Sequence, residues 1–237
     1  MLARLVLKRS GRQEGESPFW ISYSDLMSAL MILFLVVMAV TLIAVTKNVT
    51  AEEEQRIQRE KDIHELMSTV IEISREFPDV KVSESTFRID LGEAVRFESG
   101  RYDISPAGAR FLRGYVPALL RAQATDIGQR WIRRIVVEGF TDQDDSYLYN
   151  LELSLNRSRS VVCALFAKRG GDEVPISEAQ KVQIRDLFMV AGSSFNSIQA
   201  TKEQSRRAEL KVEFWALSDK PVAAPQIEGK DFGQCRP

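Results

Sequence analysis

The chain has 237 residues, enough for one or two domains, and its 32 lysines and arginines nearly balance 33 aspartates and glutamates. A net charge of −1 gives no sign of nucleic-acid binding, because proteins that neutralise phosphates carry a basic excess. The average conceals a split: residues 26–46 contain no charged side chain, whereas the remainder is typical of soluble proteins. That run is long enough to span a bilayer. A buried core helix or a cleaved signal peptide fits less well, because the run is apolar all round and lacks a small-residue cleavage site.

The charges beside this run set the predicted orientation. Basic residues precede it, and Lys47 follows it ahead of three glutamates at 52–54. Because basic flanks stay in the cytoplasm, residues 1–17 are predicted to be cytoplasmic and the chain after the span periplasmic. We therefore expect a bacterial inner-membrane protein that crosses once, through a transmembrane helix at 18–46.

One carboxylate, Asp25, lies just ahead of the uncharged run. Ser17 is a suitable cap and Pro18 a suitable first residue for the helix, which places Asp25 about two turns inside it. Stabilisation by the helix dipole is the simple alternative, but that effect fades beyond the first turn. An ionised acid at membrane depth costs several kcal/mol, and such residues often carry protons or ions. Asp25 is therefore a candidate ion carrier.

The stretch "FWISYSDLMSALMILFLVVMAV" resembles the transmembrane helix of MotB-type stator subunits, in which an aromatic-Tyr-x-Asp-Leu/Phe-Met pattern surrounds the ion-carrying aspartate. The resemblance implies that Asp25 carries H⁺ or Na⁺ and that Tyr23 and Ser28 lie near the ion path, with Met31 close by or against a partner helix. It also implies a homodimer. Because one helix cannot build an ion path, a ring of multi-pass MotA-like or ZorA-like channel subunits is the expected partner.

Residues 47–77 contain no glycine or proline and predict a helix that continues outside the membrane. Their apolar positions alternate by three and four, as in the a/d seam of a coiled coil. These positions are Ile63, Leu66, Val70, Ile73 and Phe77. We predict a helical stalk that forms a parallel dimer, since the resembled family is dimeric; packing of the stripe on the following domain is the alternative. His64, the only histidine, is expected to be solvated rather than a metal ligand.

Residues 78–217 alternate predicted strands and helices. The stretches "TFRIDLGEAVRFESG", "RRIVVEGF", "FMVAGSS" and "AELKVEFWAL" predict strands. The stretches "SPAGARFLRGYVPALLRAQ" and "NLELSLNRSRSVVCALFAKRGG" predict helices, the second ending at glycines 170–171, and residues 177–187 predict another. The pattern indicates an α/β sandwich, a mixed sheet with helices on one face. Residues 218–237 read as an irregular tail.

Residues 86–216 resemble the OmpA-like peptidoglycan-binding module, whose signature is a Gly-His-Thr-Asp turn, an Asn-x-x-Leu-Ser-x-x-Arg helix and Asn-Arg-Arg before the last strand. The matching stretches are "GFTD" at 139–142, "NLELSLNR" at 150–157 and "SRRAEL" at 205–210. This chain departs from the pattern at Phe140, which replaces the histidine, and at Ser205, which replaces the asparagine. Residues 143–145 replace a glycine-containing loop.

The peptidoglycan-binding residues that this resemblance implies are Asp142, Tyr149, Asn150, Leu153, Arg157 and Arg207. A stem peptide offers an ammonium and a carboxylate close together, so Asp142 is expected to accept the first and Arg157 to clamp the second. Tyr149, Asn150 and Leu153 would supply hydrogen bonds and an apolar wall. Arg207 or Arg206 would hold the turn or contact the ligand. The alternative for Arg157 is an intrahelical pair with Glu152 or Asp145.

Two cysteines, Cys163 and Cys235, are predicted to be periplasmic, where a disulfide can persist. Pairing would pin the tail to the domain; alternatively, Cys163 is a small buried apolar residue. The sequence has no Cys-x-x-Cys, nucleotide loop or Ser/His/Asp arrangement. We therefore predict a protein that is not an enzyme and has no cofactor and no resident metal.

Flagellar MotB proteins usually have a distinct plug segment just outside the membrane, whereas here a charged helix is predicted to run straight from Thr46 into the wall-binding domain. That plain linker, with the "FWISYSDLMSALM" wording, is more similar to the ZorB-type subunits of Zorya anti-phage defence systems. The overall prediction is a wall-anchored stator subunit of a proton- or sodium-driven motor in anti-phage defence. A flagellar stator subunit and a passive peptidoglycan anchor are the alternatives.

Overall fold

The computed structural model describes residues 17–167, 175–219 and 231–235. The chain forms two compact units, Met1–Gln55 and Arg56–Pro237. The helices are α1 (Ser17–Ser74), α2 (Pro106–Gln123), α3 (Asp126–Trp131), α4 (Tyr147–Phe166), α5 (Glu178–Leu187) and α6 (Lys202–Ser205), with a 3₁₀ turn at Glu93–Val95. The strands are β1 (Lys81–Ser83), β2 (Arg88–Asp90), β3 (Ile132–Gly139), β4 (Phe188–Gly192) and β5 (Ala208–Phe214).

The first unit contains the N-terminal part of α1, and its described side chains are all exposed. Within the described part of the chain, α1 is the one helix that is long and apolar enough to cross a membrane. Its polar side chains bond along the helix: the Ser28 hydroxyl donates to the Ser24 carbonyl at 2.8 Å, and the Thr46 hydroxyl to the Leu42 carbonyl at 2.8 Å. Such bonds satisfy polar groups in surroundings that offer no water.

The second unit is built on a five-stranded sheet in the order β1-β2-β5-β3-β4. Neighbouring strands are antiparallel except β3 and β4, which run parallel. The predicted mixed sheet is therefore confirmed. Ile135 and Val137 of β3 are fully buried, as β-branched residues at the centre of a sheet should be. Because β4 pairs with β3 alone, it forms one edge of the sheet.

Helices α2, α4 and α5 form the second layer, and each begins at a serine cap. The Ser105 hydroxyl accepts the Gly108 amide at 3.0 Å, ahead of Pro106 in the first turn of α2. Ser146 caps α4 and Ser177 caps α5 in the same way. Helix α4 packs very closely on the sheet, because a Cβ at Gly139 would lie 2.0 Å from the Ser154 carbonyl oxygen.

The second part of α1 packs in the core of the domain, as in the alternative given for its apolar stripe. Leu66, Met67 and Val70 are almost fully buried within the single chain, and Leu66 and Val70 join the core formed by the sheet and α2. An apolar spacing of three and four suits both a coiled coil and an amphipathic helix that packs on a domain, and two heptads are too few to favour the coiled coil. The apolar stripe is therefore covered within the single chain, and the dimer stalk stays a prediction. The helix also ends at Ser74, before the predicted Phe77.

Polar contacts fix this part of α1 to the domain. Buried Asp62 accepts the Trp131 indole N–H at 2.7 Å and a Gln58 amide N–H at 2.7 Å. The Trp131 hydrogen bond, more than any other contact, lowers the pKa of Asp62. The Ser74 and Tyr115 hydroxyls lie 2.9 Å apart, and burial raises the pKa of Tyr115 to about 12.

The C-terminal tail is described at residues 218–219 and 231–235. Its Cys235 forms a disulfide with Cys163 of α4, 72 residues earlier, with the two Cα atoms 5.7 Å apart. The predicted end of α4 at glycines 170–171 lies outside the described residues, and the last assigned residue of α4 is Phe166. The predicted helix at 177–187 and the strands "RRIVVEGF", "FMVAGSS" and "AELKVEFWAL" correspond to α5, β3, β4 and β5.

Candidate functional site

The turn after β3 carries Asp142, which is buried and held from two sides. One carboxylate oxygen accepts a guanidinium N–H of Arg206 at 2.9 Å, and the other accepts the backbone N–H of Asp144 at 3.3 Å. Next to it, the Thr141 hydroxyl is buried without a hydrogen-bond partner among the described residues. Of the two arginines predicted to hold this turn, Arg206 is the one that does so.

Arg157 lies on α4 beneath the turn and is fully buried. Its Nη1 donates to the Phe140 carbonyl at 2.7 Å, and its Nε donates to the Arg101 carbonyl at 2.9 Å. Its Nη2 donates to the Glu98 carbonyl at 3.0 Å. The guanidinium thus ties the turn after β3 to the segment 98–101, and the alternative pair with Glu152 or Asp145 is not the arrangement seen.

Burial lowers the pKa of the Arg157 guanidinium to about 10, and the nearby Asp142 carboxylate opposes this shift. The group still carries its charge at neutral pH. A guanidinium has five N–H donors, and three of those of Arg157 go to backbone carbonyls.

Three more predicted residues lie at the start of α4. Asn150 is buried, and its side-chain N–H₂ donates to the Asp144 carbonyl and, at 3.2 Å, to the Ser146 carbonyl. Leu153 is buried as well. Tyr149 differs, because 46% of it is exposed and its hydroxyl lies near Gly100. Asn150 and Leu153 therefore shape the loop, and Tyr149 faces outward beside it.

A charged pair that the sequence did not single out lies at the mouth of this site. The Lys202 ammonium bonds both Asp144 carboxylate oxygens, at 2.6 and 2.9 Å, and both side chains are at least half exposed. Together with Tyr149 and Arg101 they form what we call the rim. The rim offers both signs of charge and an aromatic ring around the buried Asp142. No group of three or more metal-ligating side chains occurs among the residues described.

Arg207 does not reach the Asp142 carboxylate. Its Nε donates to Glu209 at 2.7 Å, its Nη1 donates to the Ser197 carbonyl at 3.0 Å, and its guanidinium lies over the Phe140 ring, 4.2 Å from the centroid. Arg88 also lies over this ring, at 5.7 Å. Phe140, which stands where the OmpA pattern has histidine, is therefore a buried platform for two arginines. Arg207 is part of the sheet's charge network and does not line the rim.

In the first unit, Tyr23, Asp25 and Ser28 are exposed on α1. Asp25 and Ser28 are three residues apart and so lie on neighbouring positions of one helix face. This arrangement presents a carboxylate and a hydroxyl on the same side of an otherwise apolar helix.

Two family models match the chain. The OmpA family matches residues 96–209, and the family "Membrane MotB of proton-channel complex MotA/MotB" matches residues 7–52. Among solved structures, the cell wall anchor of the T6SS from Pseudomonas aeruginosa is 16% identical, with 63% of this chain and 97% of that chain covered and a TM-score of 0.41. A MotB-like protein from Desulfovibrio vulgaris is 16% identical, with 67% and 95% covered and a TM-score of 0.41.

A much closer relative is the Zorya protein ZorB of Escherichia coli O139:H28 (strain E24377A / ETEC). The two are 41% identical over 223 residues, which cover 94% of this chain and 91% of the relative. That match runs through both units, from the apolar helix to the OmpA-family domain. The chain therefore belongs to the ZorB family of Zorya proteins.

Proposed function

We propose that this protein is the wall-anchored, stator-like subunit of an ion-driven membrane motor that acts in anti-phage defence. The observation that carries the proposal is the union of two parts in one chain. A membrane-length helix bears Asp25 and matches the MotB proton-channel family, and an OmpA-family domain follows it. The helix can hold an ion in the membrane while the domain holds the wall.

In this proposal Asp25 binds H⁺ or Na⁺ from the periplasm and releases it toward the cytoplasm. Each charge that crosses gains about 2.3 kcal/mol per 100 mV of membrane potential. One helix cannot enclose an ion path, so two copies of this chain lie within a ring of multi-pass MotA-like or ZorA-like subunits. Tyr23 and Ser28 line the path beside Asp25. The N-terminus is cytoplasmic and the OmpA-family domain is periplasmic.

The domain binds the stem peptide of peptidoglycan in this proposal. The ligand approaches over Tyr149 of the rim, its ammonium meets Asp142, and its carboxylate is directed toward the charge of Arg157, which lies buried beneath the turn. The Asp142 carboxylate accepts two hydrogen bonds and has about four acceptor sites, so it can take the ammonium as well. Asn150 and Leu153 keep the loop in position.

The wall-binding step is tested by co-sedimentation of the protein with purified peptidoglycan. Truncation of Arg157 alone would mislead, because it releases three backbone carbonyls and unsettles the fold. We therefore expect Tyr149→Ala to lower binding at least about tenfold with little change in melting temperature. Asp142→Asn should lower binding as much, and it should also lower the melting temperature, because it removes the charged partner of Arg206. Val182→Ala on α5, also partly exposed, is the matched control and should bind like the wild type. Unchanged binding by both site variants would refute this assignment.

The ion-carrying step is tested by Asp25→Asn, which keeps the size of the side chain but cannot be ionised. The variant should insert and assemble normally and lose ion conduction and phage protection. A passive wall anchor would keep its function. Loss of swimming with intact phage resistance on deletion would instead favour a flagellar stator subunit.

A further inference from the structure

The C-terminal residues 231–235, which we call the strap, lie against the domain beside α4. A groove of about 890 Å³ opens where the strap meets α4, α5 and β4. The groove has a mixed wall, in which the charged residues Glu178, Lys181, Arg185 and Asp231 lie beside apolar ones. Its apolar residues are Val162, Phe166, Ile184, Phe188, Met189 and Val190.

Two anchors of different chemistry hold the strap. Phe232 packs on Phe166 with ring centroids 5.2 Å apart, and Cys235 is bonded to Cys163. Between them, Gly233 has a φ of 70° and donates its N–H to the Asp231 side chain at 3.2 Å, which makes a turn. A single aromatic contact holds a chain end weakly, so the disulfide is the decisive anchor.

The strap also separates this groove from a second one. The second groove, of about 410 Å³, lies between α2 and α4 and is lined by both cysteines and by Tyr102 and Ile104. Because Cys163 and Cys235 line both grooves, the disulfide is the wall that they share. Release of the strap would join them into one trough along α4.

The disulfide is open to chemical attack. Cys235 is exposed, and Cys163 is partly buried on α4. An exposed sulfur is accessible to an attacking thiolate, which is the first step of thiol–disulfide exchange. When the disulfide forms, the two thiols give two electrons and two protons to a protein disulfide oxidant, which leaves as a dithiol. In reverse, a dithiol reductant forms a mixed disulfide and then its own disulfide, and restores both thiols.

We propose that the Cys163–Cys235 pair is a redox switch for this groove. When oxidised, it holds the strap in place between the two grooves; when reduced, it releases the strap and opens a continuous trough while the fold of the domain persists. The core does not depend on the strap, since β3, β5 and α2 bury their apolar residues without it. The inference is independent of peptidoglycan binding and ion transport.

Hydrogen–deuterium exchange of the full-length protein in detergent tests the switch. Dithiothreitol treatment should speed exchange at least about tenfold in peptides that cover 162–167, 188–190 and the strap. Peptides from β3 and β5 should keep their protection. The double variant Cys163→Ser/Cys235→Ser should exchange as fast as the reduced wild type, and dithiothreitol should not change its exchange. Re-oxidation of the wild type should restore slow exchange.

Phe232→Ala, with the disulfide intact, is the matched control and should keep the groove protected. Three results would overturn the proposal. The reduced protein could exchange like the oxidised one, which would mean that the strap stays without the bond. Protection of β3 and β5 could be lost on reduction, which would mean that the disulfide stabilises the whole domain rather than the strap alone. Phe232→Ala could open the groove by itself, which would mean that the aromatic contact, and not the disulfide, holds the strap.

Discussion

Met67→Ala tests whether the apolar side of α1 packs in the core of the domain or in a dimer. The Met67 side chain is fully buried in the single chain, between Leu66 and Val70 of the same stripe. Its truncation removes buried methylene and sulfur contacts and leaves a cavity, for which a loss of about 2–5 kcal/mol is typical. We therefore expect the free energy of unfolding of the 56–237 fragment to fall by that amount. Urea titration followed by the fluorescence of Trp131 and Trp215 measures it.

Glu65→Ala is the matched control, because Glu65 lies two residues away on the same helix and is exposed. It should change the free energy by no more than about 0.5 kcal/mol. The reasoning also requires that the unfolding midpoint is independent of protein concentration. If Met67→Ala were neutral, or if the midpoint rose with concentration, the stripe would serve a dimer and its place in the core would be refuted.

Three further outcomes follow from close contacts in the domain. Gly139→Ala should destabilise the domain by several kcal/mol in a thermal melt, since its Cβ would lie 2.0 Å from the Ser154 carbonyl oxygen. Gly114→Ala should be neutral or stabilise by up to about 1 kcal/mol, because the exposed helical site meets only the Phe77 ring, at 3.7 Å. Burial raises the pKa of Tyr115 to about 12 from about 10 in the unfolded chain, so stability should be full below pH ~10 and decline by up to about 2–3 kcal/mol toward pH ~12. Tyr115→Phe should remove this decline in urea midpoints measured from pH 9 to 11.5, and an unchanged slope would contradict the assignment.

The larger elements were predictable because their signals are local. A serine at 105 followed by proline starts α2, and β-branched residues mark β3. The membrane helix follows from hydropathy alone. The pieces that the sequence left out are short: β1 has three residues and α3 has six. Elements of that length show no periodicity and are fixed by their neighbours in the fold.

The sequence names the candidate site residues but not the contacts that they make in the fold. The motif identifies Arg157, but its burial depends on the segment at 98–101, which lies more than fifty residues earlier in the chain. Similarly, nothing in "SRRAEL" tells which arginine meets Asp142; Arg206, at the end of α6, bonds Asp142, and Arg207 bonds Glu209 and the Ser197 carbonyl. The Lys202–Asp144 pair carries no motif and depends on how α6 meets the loop after β3.

The packing of α1 in the domain also sets the order in which the chain can fold. Arg59 bonds the Trp215 carbonyl 156 residues later, Asp62 bonds Trp131 69 residues later, and Ser74 meets Tyr115 41 residues later. The part of α1 that belongs to the domain must therefore wait, with its apolar side uncovered, for partners that are made later. Long-range closure of this kind is slow and leaves the chain open to aggregation. It follows that residues 63–70 need protection until these partners have been made, and that any soluble fragment must begin before Arg59 to keep its first and last elements joined.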